Sequence, residues 1–224
     1  MTDLDALDQL LSNRWSCRGY TDQQVPREVM EQLLTTAQRT PSWCNVQPWH
    51  VTVTSGGATE ALRETLFTTD EGYGVDFDFP AAYTGVHQER RRESGWQLYD
   101  AVGIQKGDRE ASSAEGMKNF SLFGAPHVAI ITTEADLGVY GAVDCGLYIG
   151  SFLLAAQALG LGACAQAALA ARAPLRHEWV DIPDTRTVVC GISFGYADES
   201  HPTASYRTSR APLEQAVTFV TEAP

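Results

Sequence analysis

The sequence predicts an α+β protein with one central sheet and helices on both of its faces. The predicted elements run helix, helix, strand, helix, a long polar excursion, strand, helix and strand, an order that favours a mixed architecture. Hydrophobic residues make up 44% of the 224-residue chain, which is enough for a sizeable core. No Gly-x-Gly-x-x-Gly motif follows a predicted strand, which disfavours a Rossmann nucleotide fold.

Two helices are predicted at the N-terminus. Residues 3–13 place four leucines on one helical face, which indicates an amphipathic helix: Leu4, Leu7, Leu10 and Leu11. Pro26 favours the first turn of a second helix. That helix has a predicted buried stripe of five residues: Val29, Met30, Leu33, Leu34 and Ala37.

The middle of the chain combines a strand, a short helix and a polar excursion. Residues 49–55 alternate as a strand, and residues 59–68 predict a helix. The segment 70–118 is polar and is interpreted as a surface excursion, helical around 83–101. Its run Arg90-Arg91-Arg92 is typical of a solvated helix face.

The last third of the chain predicts the buried part of the fold. Residues 126–133 form a continuous apolar strand, which indicates burial on both faces. The Gly- and Ala-rich segment 139–161 is the strongest predicted helix, and residues 187–195 predict another strand. Residues 213–219 predict a short terminal element. With no repeat or linker, we expect one domain over 1–224, with the excursion at about 70–123.

Charge and cysteine content exclude several classes of protein. A net charge of −12 argues against nucleic-acid partners and against binding to an anionic membrane surface. No apolar run reaches the length of a bilayer span, and the acidic N-terminus has no signal pattern. The five cysteines are odd in number and form no Cys-x-x-Cys pair, so neither a metal site nor a disulfide framework is expected. We therefore expect a cytoplasmic protein.

Three clusters carry the chemical signal. Residues 14–18 pack two guanidiniums and a hydroxyl into five positions of an acidic chain, which fits either a local anion site or a solvated helix end. Residues 41–49 offer the amide donors and acceptors that a flavin ring edge requires. Residues 205–212 add two further arginines near the C-terminus.

Together the three clusters resemble the FMN-dependent nitroreductase family over nearly the whole chain. The motifs are Arg-x-Ser-x-Arg, Pro-Ser-x-x-Asn-x-Gln-Pro-Trp and Ser-Arg-x-Pro. The resemblance implies a central, mostly antiparallel sheet in a homodimer with shared active sites. It places the loop 41–47 of each chain at its partner's FMN and the small-residue helix 139–161 at the dimer core.

The resemblance also assigns residues to the FMN. Arg14 and Ser16 would bind the phosphate with Arg207 or Arg210, and Arg18 would lie at the pyrimidine side of the ring. Other expected cofactor-binding residues are Trp15, Cys17, Pro41, Ser42, Asn45 and Gln47, together with the backbone of Ala165, Gln166 and Ala167. The chain departs from family members at Gln166, where no acidic residue is present, and at Thr208, where some members have lysine.

The resemblance implies a ping-pong reaction without a catalytic side chain or a metal. NADH or NADPH would deliver hydride to flavin N5, and a nitroaromatic, quinone or similar acceptor would then take the electrons. Four aromatic residues of the excursion either line the substrate pocket or simply pack it onto the core: Trp96, Tyr99, Phe120 and Phe123.

Other functions remain open from sequence. The alternatives within the family are reductive dehalogenation and ene reduction, and outside it a flavin-binding protein without turnover. The letters around Ser193 match the Gly-x-Ser-x-Gly elbow of hydrolases, but a loop follows where an elbow requires a helix.

Overall fold

The structure is a computed structural model that describes residues 2–68, 74–172 and 181–222. Within these residues the α-helices are α1 Asp3–Asn13, α2 Arg27–Ala37, α3 Gly57–Thr68, α4 Gly85–Ala101, α5 Arg109–Met117 and α6 Gly138–Ala158. The strands are β1 His50–Ser55, β2 His127–Glu134, β3 Gly162–Gln166 and β4 Arg186–Gly195.

The four strands form one antiparallel sheet in the order β1-β2-β4-β3. In its register, Ile131 of β2 lies between Val51 of β1 and Cys190 of β4. The prediction of a central antiparallel sheet is confirmed. Strand β3, which follows the predicted helix 139–161, was not predicted from the sequence.

Two hydrophobic clusters lie on opposite faces of the sheet, because successive side chains of β2 point to opposite sides. Ala129 and Ile131 pack with α2 and α6, around Tyr148 and Phe152 of α6. The opposite face has a second set: Val128, Ile130, Leu62, Leu66, Leu122 and Leu169. Helical structure therefore covers both faces, as predicted.

Helix α6 carries a second apolar face that is largely exposed in the described chain. Its buried side packs on the sheet, while four apolar residues are exposed on the other side: Val139, Tyr140, Val143 and Leu147. On α1, Leu4, Leu7 and Leu11 are also exposed, although the sequence predicted an apolar stripe there. An amphipathic face without a cover in one chain is typical of an interaction surface.

The segment Ala135–Ala158 is long and apolar enough to cross a membrane by length and composition alone. The sequence had predicted no segment of that length and apolar character. Gly141, Tyr148 and Phe152 of this segment are buried within the fold, as in the core helix of a globular domain.

The excursion contains the predicted helix, α4, and a second helix, α5, that the sequence did not predict. Part of its start, residues 69–73, lies outside the described residues. Near the C-terminus, the expected element is reduced to one 3-10 turn, Leu213–Gln215, and Phe219 and Val220 are exposed.

His127 connects the start of β2 to the chain before α2. The ring is 1% exposed, and its Nε2 accepts a hydrogen bond from the amide of Val25 at 2.9 Å. On the other side, Nδ1 lies 3.1 Å from the hydroxyl of Ser55. Burial lowers the pKa of His127 from its ordinary value, and the bond to Thr54 opposes this. The folded protein therefore favours the neutral ring, whose Nε2 can accept.

We predict that His127 makes stability depend on pH. Its pKa is lower in the folded chain, so the unfolded chain binds more protons, and the free energy of unfolding falls as pH drops from about 7 to about 5. His127→Gln reduces this slope because glutamine does not titrate, and it lowers stability by roughly 1–3 kcal/mol at neutral pH because the ring that contacts both the Val25 amide and the Ser55 hydroxyl is lost. Urea unfolding across this pH range checks the result, with exposed His87→Gln as the control. Equal slopes for all three proteins would contradict it.

Candidate active site

The segment after α1 runs along the free edge of β3. Ser16 pairs with Ala163 in a parallel bridge, and the amide of Cys17 donates to the carbonyl oxygen of Ala163 at 3.1 Å. A Cβ atom at Gly162 would lie 2.7 Å from Cys17 Sγ, so only glycine permits this approach. The edge of the sheet therefore fixes the backbone between Arg14 and Arg18.

Hydrogen bonds from side chains hold the same segment. Tyr20 Oη lies 3.0 Å from the carbonyl oxygens of both Cys17 and Ser193. The thiol of Cys17 donates to the carbonyl oxygen of Gly19 at 3.1 Å. Burial raises the pKa of Cys17 and raises that of Cys164 to about 11, so neither thiol is poised as a nucleophile. Cys17 is therefore a buried support of the site.

An open cleft of about 550 Å³ lies above this segment and collects arginines from both ends of the chain. Its lining includes Arg14, Trp15, Ser16, Arg18, Arg207 and Arg210. Burial lowers the pKa of Arg14, the charges of Arg210 and Arg207 lower it further, and Cys164 opposes them. Guanidiniums that repel one another in one cleft form a cradle for a multiply charged anion such as a phosphate.

Both candidate phosphate arginines of the C-terminal segment reach the cleft. The guanidinium of Arg207 stacks 4.3 Å from the ring centroid of Trp15, and its Nη1 donates to the carbonyl oxygen of Ala204 at 3.0 Å. The Nη1 of Arg210 donates to the hydroxyl of Thr208 at 3.0 Å. Thr208 thus orients Arg210.

Arg18 lies where the cleft meets a second chamber of about 370 Å³. Its Nη1 donates to the carbonyl oxygen of Ser16 at 3.3 Å and lies 3.5 Å from Tyr206 Oη. The guanidinium is 5.7 Å from the ring centroid of Phe123, whose backbone has a positive φ of 53°. Arg18 thereby presents a positive charge at the junction of both cavities.

The second chamber contains two of the four predicted aromatic residues. Trp96 and Tyr99 line it with ring centroids 5.8 Å apart, edge to face, and Phe123 lies beside it at Arg18. Phe120 shows the other alternative that the sequence left open, packing onto the core. Its ring is 6% exposed in the second core cluster, with the guanidinium of Arg172 4.0 Å from its centroid.

The side chain of Gln166 points into the fold. Its Nε2 donates to the carbonyl oxygen of Asn119 at 2.9 Å, and its Oε1 accepts from the hydroxyl of Ser193. The neighbouring residues Ala165 and Ala167 are exposed, so the surface of this segment is backbone and methyl groups. Ser193 is fully buried within β4, which excludes the hydrolase reading of its motif.

The loop 41–47 is held in a strained conformation away from the cleft. Cys44, Asn45 and Gln47 all have positive φ, which is uncommon for residues other than glycine. The amide of Trp43 donates to both carboxylate oxygens of Asp144, at 3.2 and 3.1 Å. The hydroxyl of Ser42 accepts from the amide of Gln47 at 2.9 Å.

Sequence reasoning missed Asp144. This acidic residue lies on the predominantly apolar helix α6, and only 6% of the residue is exposed. Among the described residues that line the arginine cleft and the second chamber, none comes from Pro41, Ser42 or the rest of the loop 41–47. The loop is therefore anchored to α6 through Asp144, and none of its residues lines the cleft of its own chain.

Comparison with known proteins identifies the fold. The sequence model of the Nitroreductase family matches residues 11–196. The chain belongs to the nitroreductase family.

Relatives of this nitroreductase-family chain align over almost its whole length. It is 37% identical over 224 residues to the 4-nitrobenzoate reductase of a Nocardioides species, covering 97% of this chain and 91% of that protein. A crystal structure of the FMN-dependent nitroreductase NfnB from Mycobacterium smegmatis in complex with NADPH matches with a TM-score of 0.91. That match has 34% identity and covers 97% of this chain and 99% of the other. A crystal structure of the FMN and NADPH-dependent nitroreductase NfnB from Sphingopyxis sp. strain HMH matches with a TM-score of 0.90 at 27% identity, covering 96% of this chain and 99% of the other.

The described part of this family member contains no cluster of metal-ligating side chains. Across residues 2–68, 74–172 and 181–222, no group of three His, Cys, Asp or Glu side chains could hold a metal ion. All five cysteines are free, and four of them are buried. The ionisable groups that line the cleft are instead cationic, which directs attention to anionic ligands.

We predict that Asp144 holds the loop 41–47 in place. Asp144→Ala leaves the amide of Trp43 without its acceptor and lowers the free energy of unfolding by roughly 1–3 kcal/mol. Asp144→Asn keeps one acceptor oxygen and has a smaller effect. Urea unfolding measures both, and exposed Asp136→Ala serves as the control. An Asp144→Ala protein as stable as the control would contradict this role.

Proposed function

We propose that this chain is a flavoenzyme that binds FMN and passes electrons from NADH or NADPH to a nitroaromatic, quinone or similar acceptor. The observation that carries the proposal is the convergence of Arg14, Arg207 and Arg210 in one cleft, beside Ser16 and with Arg18 at its inner end. The cleft would hold the phosphate dianion of FMN, and the junction between the cleft and the second chamber would hold the flavin ring. The activities and cofactors named for the relatives above support the same assignment.

When bound, FMN supplies the hydride chemistry, so the protein's task is binding, orientation and charge. Arg14 and Ser16 hold the phosphate together with the two arginines of the C-terminal segment. Arg18 presents a positive charge to the pyrimidine side of the ring, where a fixed cation favours reduction. Ala165 and Ala167 offer a flat, small surface next to the ring. Trp96 and Tyr99 form apolar walls of the second chamber, which would bind the electron acceptor.

We also propose that two copies of the chain form a homodimer with shared sites. The exposed faces of α1 and α6 supply the interface, and a groove of about 210 Å³ whose lining includes Trp43, Val46 and Tyr140 extends it onto the loop 41–47. Because that loop faces away from its own cleft, Asn45 and Gln47 would serve the FMN of the partner. Five free cysteines fit our proposed location in the cytoplasm.

The proposed function predicts a yellow protein that releases FMN on denaturation and completes two separate half-reactions. Anaerobic NADH or NADPH will bleach the flavin absorbance, and a nitroaromatic added after removal of the nicotinamide will restore it. Stopped-flow absorbance measures both steps. A protein that takes up no FMN on reconstitution would overturn the proposal, and bleaching without reoxidation by any nitroaromatic or quinone would favour a flavin-binding protein without turnover.

Shared sites predict complementation between two inactive parents. Arg14→Ala damages the phosphate cleft, and Asn45→Ala/Gln47→Ala damages the loop that serves the partner. In a mixed dimer, one site collects both lesions and the other is intact, so about half of the FMN sites per heterodimer are regained. Bound FMN in separately tagged, co-purified heterodimers measures this. A fully active monomer, or no recovery in the heterodimer, would contradict the arrangement.

A further inference from the structure

We propose that Arg91 and Arg92 of α4 make the second chamber a binding site for the anionic group of an aromatic acceptor, so that the enzyme favours nitroaromatic carboxylates over neutral nitroaromatics. This inference rests on the proposed function and deepens it. Both arginines are exposed on α4, as the sequence predicted, and both line the chamber together with Arg18, Trp96 and Tyr99.

The anchoring of α4 explains which arginines face the chamber. Arg90 Nη2 donates to Gln215 Oε1 at 2.8 Å, and the hydroxyl of Ser209 donates to Glu93 Oε1 at 2.9 Å. These two bonds attach the helix to the C-terminal segment. They direct Arg90 and Glu93 toward that segment, while Arg91 and Arg92 line the chamber.

The charge in the chamber is opposite to that of the protein. The chain carries −12 overall, yet the charged residues lining this chamber are the cations Arg18, Arg91 and Arg92. Lys106 adds a fourth positive charge, with its Nζ 5.9 Å from the ring centroid of Trp96. A concave site whose charged lining residues are cations attracts small anions, and a guanidinium pairs with a carboxylate through two parallel hydrogen bonds.

The size and walls of the chamber select an aromatic acid. Its volume of about 370 Å³ is near the lower end for small-molecule pockets, which suits a single-ring ligand. Trp96 and Tyr99 present apolar walls to such a ring. Arg18 lies at the opening toward the FMN cleft, so a nitro group could point to the flavin while a carboxylate pairs with Arg91 or Arg92. The guanidinium of Arg91 is steadied 5.5 Å from the ring centroid of Tyr83.

The test compares two acceptors that differ in charge but hardly in shape, 4-nitrobenzoate and 4-nitrobenzamide. Arg91→Gln/Arg92→Gln should lower kcat/KM for 4-nitrobenzoate by about tenfold or more, the size expected for a lost charge-assisted bond. For 4-nitrobenzamide the change should stay within about twofold. Arg109→Gln removes an exposed charge of the excursion that lies outside the chamber and is the matched control.

Equilibrium binding supplies a readout without turnover. Benzoate should perturb the absorbance of the bound flavin at lower concentration than benzamide, and this difference should disappear in the double variant. Arg91→Lys/Arg92→Lys keeps the charge but lacks the planar fork, so it should retain part of the preference. Circular dichroism checks that α4 stays folded in each variant.

Each result decides a separate question. The inference would be overturned if the double variant kept the wild-type preference between the two acceptors, or if Arg109→Gln showed the same loss as the double variant. A loss confined to reduction by NADPH, with NADH unaffected, would assign the arginines to a phosphate of the nicotinamide cofactor instead. A wild-type protein that reduces neither acceptor would count against the proposed function, while the benzoate titration still tests the chamber.

Discussion

The candidate site depends on one contact, the pairing of the segment after α1 with the edge of β3. The amide of Cys17 donates to the carbonyl oxygen of Ala163, and Gly162 leaves the room for this approach. Because the segment lies along a rigid sheet edge, Arg14 and Arg18 project at fixed positions rather than from a mobile loop. A short strand of small residues thereby determines where the charges of the site are located.

The positive charges of the cleft repel one another. Burial lowers the pKa of Arg14, and the like charges of Arg210 and Arg207 lower it further. Such an arrangement costs stability in the absence of a ligand, and an anion with several oxygens would compensate it. Stacking of Arg207 on Trp15 and the hydroxyl of Thr208 beneath Arg210 hold the guanidiniums in this costly geometry.

Much of the fold could be predicted because its elements have strong periodic patterns. The apolar run of β2 predicted a strand that is buried along nearly its whole length, and the apolar stripe of α2 predicted the face that buries Met30, Leu33 and Ala37. Strand β3 could not be predicted in the same way, since five small or polar residues carry no alternation. Its strand geometry is determined by pairing with β4, which is distant in sequence.

The candidate site was predictable in its residue types but less so in its geometry. The motifs indicated the arginines of the cleft, yet spacing does not reveal which way a side chain turns. Gln166 points inward to Asn119, and Phe120 packs in the core instead of a pocket. Asp144 escaped notice because it stands alone in an apolar helix, and its role appears only through the amide of Trp43. The chamber arginines looked like ordinary surface charge in the sequence.

The most direct test of the phosphate cradle compares the binding of FMN and riboflavin, which share the ring and differ in the phosphate. Isothermal titration of the flavin-free protein gives both dissociation constants under one set of conditions. If the cleft holds the phosphate through several charge-assisted bonds, FMN will bind at least about a hundredfold more tightly than riboflavin. Equal affinities would contradict the assignment of the arginine cleft to the phosphate.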